Sequence, residues 1–255
     1  YDHFSGTSMA TPQMSGISAI VLQRVQSDPL FASMSAREKV DVVQNLIMGT
    51  ARPLTDAAQD SGALYSPRKQ GSGLVDALAA TTSSVYPTVG GASEVSRPKA
   101  DLGDGTKGWH FDVVLHNLSD TEATYELSSQ ALSEIVDGGF FTEHSLDWRG
   151  RGVAVSYSGA VSGAGEGATV TVPAKGEATV GVDIVPGVEF AQYVADNASS
   201  GTFLDGFVCF TSRTESQPSL SVPYVGFYGS WGKPAIFDAL ASDGKGHMRA
   251  SGLYD

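Results

Sequence analysis

Gly6-Thr7-Ser8-Met9-Ala10-Thr11-Pro12, near the start of this 255-residue chain, is the stretch that decides how the first part of the sequence folds. Gly6 has no Cβ and lets the backbone turn sharply. Pro12 has no amide hydrogen, so we expect it in the first turn of a helix, where that donor would have no intrahelical partner. The heptapeptide therefore predicts a helix that begins close to Ser8. An apolar stripe with a spacing of three to four residues follows, at Met14, Ile17, Val21 and Val25.

Ser8 is the candidate functional residue of this segment. Free backbone N–H groups and the positive end of the helix dipole meet at a helix start, and both favour a developing oxyanion. A serine becomes a good nucleophile only when an adjacent base takes its proton. A serine in this position most often serves as the N-cap of its helix. The residues alone leave both interpretations open.

The heptapeptide resembles the nucleophile motif of the subtilisin-like serine peptidases (subtilases), and all seven positions fit that pattern. The resemblance implies that Ser8 is the nucleophile of an Asp–His–Ser triad and that its own N–H supplies part of the oxyanion hole. The triad residues of subtilases follow the order Asp, His, Ser along the chain. The resemblance therefore implies that the Asp, the His and the oxyanion-hole Asn lie before Tyr1. We expect a fragment of a serine endopeptidase, inactive alone, whose parent enzyme forms an acyl-enzyme on Ser8.

The histidine and nearby acidic residues offer no substitute for those triad members. Asp2 and His3 are only five or six residues from Ser8, which is too close for the geometry of that family. The other histidines lie beyond the helical segment. We interpret them as surface or strand residues and assign none to catalysis: His110, His116, His144 and His247.

Two further patterns support a subtilase-like first part. Ser35-Ala36-Arg37-Glu38 is a capping box, and it predicts a second helix that ends near Gly49. The apolar face of that helix is predicted at Val40, Val43, Leu46 and Ile47. The run from Gln70 to Ala77 predicts a tight glycine turn that enters a short helix. It also resembles the end of many subtilase catalytic domains.

From Val85 onward the sequence alternates with a period of two, which is typical of β-strands. The clearest run has apolar residues at Trp109, Phe111, Val113 and Leu115. Further strands are predicted around Tyr125 and Leu127, at Val170 and Val172, from Ala178 to Ile184, from Thr202 to Thr211 and from Leu220 to Tyr228. Short strands separated by turn clusters over about 150 residues favour an antiparallel β-sandwich. Residues 130–168 are predicted to be rich in loops.

Two of these strand regions carry a more specific resemblance. Gly201 to Val208 and Val222 to Trp231 resemble the fibronectin-III-like domain that follows the catalytic domain in proteinases of the lactocepin and C5a-peptidase type. The predicted fold is therefore mixed. The helical C-terminal part of an α/β subtilase catalytic domain spans 1–83, and an antiparallel fibronectin-III-like β-sandwich spans 84–233. Residues 234–255 are a linker or the start of a further module.

Composition limits the partners. The formal net charge of −12 leaves no basic patch for nucleic acid. The single cysteine, Cys209, lies in a predicted strand and is interpreted as a small buried hydrophobe. No metal-ligand spacing appears, and no cofactor is predicted in this chain. The acidic run Asp101 to Asp104 fits either a calcium site or, more commonly, a solvated turn. Calcium stays open for the parent enzyme.

The resemblance also sets the expected location and partners. No apolar stretch is long enough for a transmembrane helix. The family implies secretion or a cell-envelope anchor in a Gram-positive bacterium. The expected partners are protein or peptide substrates and the N-terminal part of the catalytic domain. Exposure of the nucleophile helix predicts that the first part of the chain packs on the sandwich, self-associates with another chain or stays partly mobile. The competing hypothesis is a non-catalytic docking, spacer or adhesion module that carries a subtilase remnant.

Overall fold

The computed structural model of the chain describes residues 5–58, 62–90 and 96–232. Its helices are α1 (Thr7–Ser27), a 3₁₀ turn (Pro29–Phe31), α2 (Ala36–Gly49), α3 (Pro67–Gln70), α4 (Ala77–Thr82) and α5 (Val188–Asn197). Its strands are β1 (Val85–Val89), β2 (Ala100–Gly105), β3 (Trp109–Asn117), β4 (Ala123–Asp137), β5 (Phe140–Asp147), β6 (Val153–Gly159), β7 (Val161–Ser162), β8 (Thr169–Val172), β9 (Glu177–Pro186), β10 (Gly201–Ser212) and β11 (Leu220–Gly229). The chain is thus a mixed helix and sheet protein, as predicted.

The start of α1 differs from the sequence expectation in one detail. Pro12 is the sixth residue of the helix and lies in its second turn, so the prediction of a first-turn proline is wrong. A proline at this position removes the hydrogen bond to the carbonyl of the residue four positions earlier, Ser8. Ser8 is exposed, so water can satisfy that carbonyl and the helix continues through Pro12.

The second helix begins as predicted. The Ser35 hydroxyl accepts a hydrogen bond from the Glu38 amide at 3.3 Å, and the Glu38 carboxylate accepts one from the Ser35 amide at 2.7 Å. The helix ends at Gly49, also as predicted. Its apolar face was placed incorrectly at one position, because Val40 is 47 % exposed and Val42 is buried instead. Val42 lies one turn before buried Leu46, so both side chains point to the same neighbours.

The helices share a hydrophobic cluster of their own. Its buried members are Val21, Val25, Phe31, Val42, Val43, Leu46, Ile47 and Ala80. Met14 and Ile17 are half-buried against it, so the predicted apolar stripe of α1 packs at its C-terminal end and is only partly covered towards Ser8.

The strands form two sheets around a second core. One sheet has the order β1-β3-β9-β6, and the other has the order β2-β11-β10-β4-β8-β7, with β5 paired to β4. Buried side chains from both sheets belong to one continuous hydrophobic cluster, to which Leu115 and Ile184 contribute from the first sheet and Tyr125 and Phe210 from the second. All pairings are antiparallel except that of β2 with β11, which is parallel. The expectation of purely antiparallel sheets is therefore wrong for β2, the edge strand of the second sheet. β2 follows β1 of the other sheet, so no hairpin joins it to β11.

The segment from 130 to 168 is built mainly of strands, so the prediction of a loop-rich region is wrong. β4 continues to Asp137 and turns through Gly138 and Gly139, at φ 58° and 84°, into β5. Most of this segment is polar and glycine-rich, so pairing with neighbouring strands stabilises it where apolar alternation is weak. Helix α5 was not predicted either. Its buried residues Phe190 and Val194 pack in the core between the sheets.

The helical part packs directly on the sheets. The end of α2 lies against β1, where Gly49 approaches the ring of Pro87. The Ser221 hydroxyl of β11 donates to the Ala51 carbonyl at 3.0 Å. The division at residues 83 and 84 stays a prediction, and the predicted segment 234–255 lies outside the described residues.

Candidate active site

Ser8 is the second residue of α1, and it is exposed. The N-cap of the helix is Gly6, whose φ of 141° is a backbone conformation that favours glycine, and no side chain caps this end. Ser8 is therefore not the N-cap of its helix. The hydroxyl of Ser8 is left available for another role.

The backbone at the start of α1 provides unpaired donors. The amides of Met9 and Ala10 both donate to the Gly6 carbonyl, at 3.0 and 3.1 Å. The amides of Thr7 and Ser8 precede these bonds, at the end of the helix where N–H groups have no intrahelical acceptor. This end also carries the positive pole of the helix dipole. The geometry can thus stabilise negative charge that develops beside the Ser8 hydroxyl.

No base stands next to this hydroxyl in the part of the chain that the structure describes, since no hydrogen bond there joins Ser8 to a histidine or a carboxylate. The histidines of the strands pair with local carboxylates: His110 with Asp183 at 2.8 Å, His116 with Glu177 at 2.7 Å, and His144 with Asp56 at 3.0 Å. Their positions in β3 and β5 agree with the interpretation as strand residues. Asp2, His3 and His247 lie outside the described residues.

A cleft of about 870 Å³ opens along α1. The helix contributes Ala10, Gln13 and Met14 to it, whereas Ser8 is not one of its lining residues. Residues 71–75, the glycine turn before α4, form a second side, which we call the turn wall. The sheet that contains β2, β10 and β11 supplies the third side. Both parts of the chain therefore line the cleft.

The sheet side of the cleft carries an aromatic wall made of Phe203, Phe227 and Trp231. The rings of Phe227 and Trp231 are stacked at 4.1 Å, and Phe203 meets both edge-on at 5.4 and 5.5 Å. The Trp231 amide donates to the Asp104 carboxylate at 2.8 Å. In the sequence, these aromatic residues indicate only a family resemblance. Their position at a cleft was missed, because strand alternation does not reveal which strand ends meet a helix.

The acidic run at Asp101 to Asp104 is part of strand β2, so its interpretation as a turn is corrected. Among residues 5–58, 62–90 and 96–232, no group of three or more His, Cys, Asp or Glu side chains is arranged to hold a metal ion. Cys209 lies in β10 as predicted, but it is half-buried and not fully buried as expected. Burial raises the pKa of its thiol to about 11. Neither feature adds chemistry at the cleft.

Two protein families match this arrangement. Residues 1–73 match the subtilase family, and residues 101–225 match an Fn3-like domain. The first part of the chain is therefore similar to the subtilase family of peptidases, and the part that follows is similar to an Fn3-like domain. The family resemblance drawn from the heptapeptide and the strand motifs is confirmed.

The relatives that match nearly the whole chain are peptidases. The C5a peptidase of Streptococcus pyogenes serotype M1 is 25 % identical over 252 residues, which is 96 % of this chain and 19 % of that protein. The PII-type proteinase of Lacticaseibacillus paracasei is 28 % identical over 262 residues, which is 100 % of this chain and 13 % of that protein. The chain thus spans a fifth or less of the length of these curated relatives.

Similarity to solved structures is weak. A PapD-like domain of human CEP192 covers 58 % of this chain with a TM-score of 0.38 and 11 % identity. None of the helices in the described residues combines the length and the apolar composition that a membrane span requires.

Proposed function

We propose that this chain is the nucleophile-bearing part of a subtilisin-like serine endopeptidase, joined to a fibronectin-III-like β-sandwich. The carrying observation is the Gly6–Pro12 heptapeptide at the exposed start of α1, with Ser8 beside free backbone amides. A base supplied by the rest of the enzyme takes the Ser8 proton, and the Ser8 oxygen attacks a peptide carbonyl. The acyl-enzyme is then hydrolysed. The Ser8 amide and the helix dipole stabilise the oxyanion.

The composition of α1 supports a second part of this proposal, namely that another segment of the enzyme covers the helix. Residues 7–23 contain no charged side chain, although most of them are exposed and Ile20 is 54 % exposed. Helices with a permanently solvated face normally carry charges on that face. The triad order of subtilases places the Asp and the His before the serine. We therefore infer that the covering segment is the part of the catalytic domain that brings the triad Asp and His and the oxyanion-hole Asn.

The remaining assignments follow from the same family. Two sheets that share one core support a β-sandwich of the fibronectin-III type, with a boundary near residue 84. The enzyme takes protein or peptide substrates and is secreted or held at the envelope of a Gram-positive bacterium. Calcium is proposed only for the parent enzyme, and we propose no cofactor for this chain.

The test uses a fluorophosphonate probe, which modifies an activated serine covalently. The proteinase that carries this chain should be labelled, and Ser8→Ala should abolish labelling and lower kcat about 10⁶-fold, the size of loss known for subtilisin. Ser15→Ala is the matched control, because Ser15 is an exposed serine two turns along the same helix. That variant should keep full activity. The 255-residue chain alone should not react.

Two results would contradict the proposal. One is peptide cleavage by Ser8→Ala at more than about one per cent of the unmodified rate. The other is labelling of the isolated chain at Ser8, which would require a base within these residues.

A further inference from the structure

The cleft along α1 exposes large apolar side chains on two of its three sides. Leu74 of the turn wall is 48 % exposed, and Trp231 of the aromatic wall is 55 % exposed. On the third side, Met14 of α1 is half-buried. Soluble proteins rarely leave a large contiguous apolar patch open to water, and such a patch often marks a site that contacts another protein or a ligand. The cleft is therefore a candidate interface.

Charged groups are sparse in this cleft. Among the described residues that line it, Lys99 and Asp101 alone carry a charge. A small-molecule site normally has a few convergent polar groups that orient its ligand. The core of a protein interface is instead depleted in charge and enriched in aromatic side chains and methionine. Because the lining includes the aromatic wall, Met14 and Met48, its composition favours a protein segment as the occupant.

The two parts of the chain are fixed to each other beside the cleft. Asp205 of β10 is fully buried, and its Oδ2 accepts hydrogen bonds from the Ser66 hydroxyl at 2.5 Å and from Arg68 Nε at 2.7 Å. The Arg68 guanidinium lies 4.1 Å from the ring centre of Phe203, which belongs to the aromatic wall. Arg68 is part of α3, and the turn wall follows α3 directly along the chain. The cleft is therefore a preformed surface to which both parts of the chain contribute.

Helix α1 connects this surface to the segment that is proposed to cover the helix. Ala10, Gln13 and Met14 line the cleft, and they belong to the stretch 7–23 that has no charged side chain. Because the uncharged face and the cleft share these residues, a segment that covers this face also borders the cleft. A segment that ended at α1 would leave Trp231 in water, although burial of a large apolar side chain is favourable.

We infer that the N-terminal part of the catalytic domain, which is proposed to cover α1, also fills the cleft and packs on the aromatic wall of the Fn3-like part. The Fn3-like part then binds the half of the enzyme that brings the triad Asp and His. The Asp205–Arg68 pair keeps the two sides of this interface fixed relative to each other. The identity of the occupant rests on the proposed function, whereas the preformed surface rests only on the contacts of Asp205 and Arg68.

Hydroxyl-radical footprinting read by mass spectrometry compares the accessibility of side chains in the 255-residue chain and in the proteinase that carries it. Met9 of α1 is 41 % exposed in the chain. Oxidation of Met9 and Trp231 should be about tenfold slower in the proteinase, because the core of an interface excludes water. The control is Phe140 of β5, an aromatic side chain that is 77 % exposed and does not line the cleft. Its oxidation should be the same in both proteins.

The outcomes separate this inference from the proposed function. Protection of Met9 without protection of Trp231 would mean that the covering segment ends at α1, and it would overturn the inference alone. Protection of neither side chain would also contradict the covering of α1. Protection of Trp231 only when a peptide inhibitor is bound would assign the cleft to substrate, and protection that is lost when a dimeric proteinase is diluted to monomers would assign it to a second copy. Either result would overturn the inference.

A pair of substitutions at Trp231 tests the interface in a second way. Trp231→Glu and Trp231→Gln both remove the ring that stacks on Phe227, but only Trp231→Glu adds a charge. Because an unpaired charge is costly to bury, heat should inactivate the Trp231→Glu proteinase roughly tenfold faster than the Trp231→Gln proteinase. In the isolated chain, where position 231 is open to water, the two variants should unfold at the same urea concentration. Equal inactivation rates in the proteinase would overturn the inference.

Discussion

The contact between α2 and β1 makes a sharp prediction about how the two parts of the chain fold together. Gly49, the last residue of α2, lies against Pro87 of β1: a Cβ at position 49 would lie 2.7 Å from the Cγ of Pro87 and closer still to its Cδ. Gly16 lies inside α1, where a Cβ would meet no heavy atom within 4 Å. The same substitution, Gly→Ala, therefore probes a packed site and an open site.

The expected magnitudes follow from these two environments. Alanine is favoured over glycine inside a helix by about 0.5–1 kcal/mol, so Gly16→Ala should stabilise the chain by that amount. Gly49→Ala has the same gain in helix propensity, but its added methyl group overlaps the ring of Pro87. Overpacking of this kind costs about 1–3 kcal/mol. The propensity term cancels between the two variants. Gly49→Ala should therefore be less stable than Gly16→Ala by about 1–3 kcal/mol.

Urea unfolding followed by circular dichroism measures this difference. The midpoints of the two variants should move in opposite directions or differ by the stated amount, with unchanged slopes, since neither variant alters the surface exposed on unfolding. If Gly49→Ala stabilised the chain as much as Gly16→Ala does, the end of α2 would not rest on β1. The packing of the helical part on the sheets would then be refuted.

Three further predictions concern titrating groups. Burial raises the pKa of the Cys209 thiol to about 11, so little of it is the reactive thiolate at pH 8. Alkylation of the folded chain by iodoacetamide at pH 8 should therefore be about two hundredfold slower than alkylation of the urea-unfolded chain. Equal rates would contradict this. The hydrogen bond to Asp183 is the main cause that raises the pKa of His110 above 6.5, so the NMR titration midpoint of His110 should fall in Asp183→Asn. The stability that this pair contributes should be present at pH 5.5 and lost as the pH rises through the pKa of His110 in the folded chain. Burial raises the pKa of Asp205 above 3.8, so stability due to this group is present below pH 3.8 and lost as pH rises through the folded pKa. Relative to Asp205→Asn, the unmodified chain should therefore lose thermal stability between pH 3.5 and 7, and a parallel pH profile would contradict that assignment.

Local chemistry made several elements predictable. The capping box at Ser35 and Glu38 depends on atoms only three residues apart, and the structure contains both of its hydrogen bonds. The alternation in β9 also depends on near neighbours, and Val180, Val182 and Ile184 are all fully buried. In each case the residues that predict the element all lie within it or directly beside it.

Features that depend on distant pairing could not be read in this way. β5 has no regular apolar alternation, so its pairing with β4 defines it more than any apolar pattern. The cleft is the extreme case, because Arg68 and Phe203, which contact each other near it, are far apart in the sequence. No local spacing indicates that contact, so the aromatic motif predicted a family without predicting a site.

The role proposed for Ser8 depends on both local sequence patterns and contacts between distant residues. The heptapeptide specifies a helix start with free amides, and that much is local. A nucleophile also needs a base and a place for the substrate, and both come from residues distant in sequence. Within the described residues no base lies beside Ser8, and the cleft along α1 is lined by both parts of the chain but not by Ser8. The two parts are held together by the Arg68–Asp205 ion pair at 2.7 Å and by the packing of Gly49 on Pro87. These contacts favour a fixed arrangement of the helical part on the sheets over a flexible spacer.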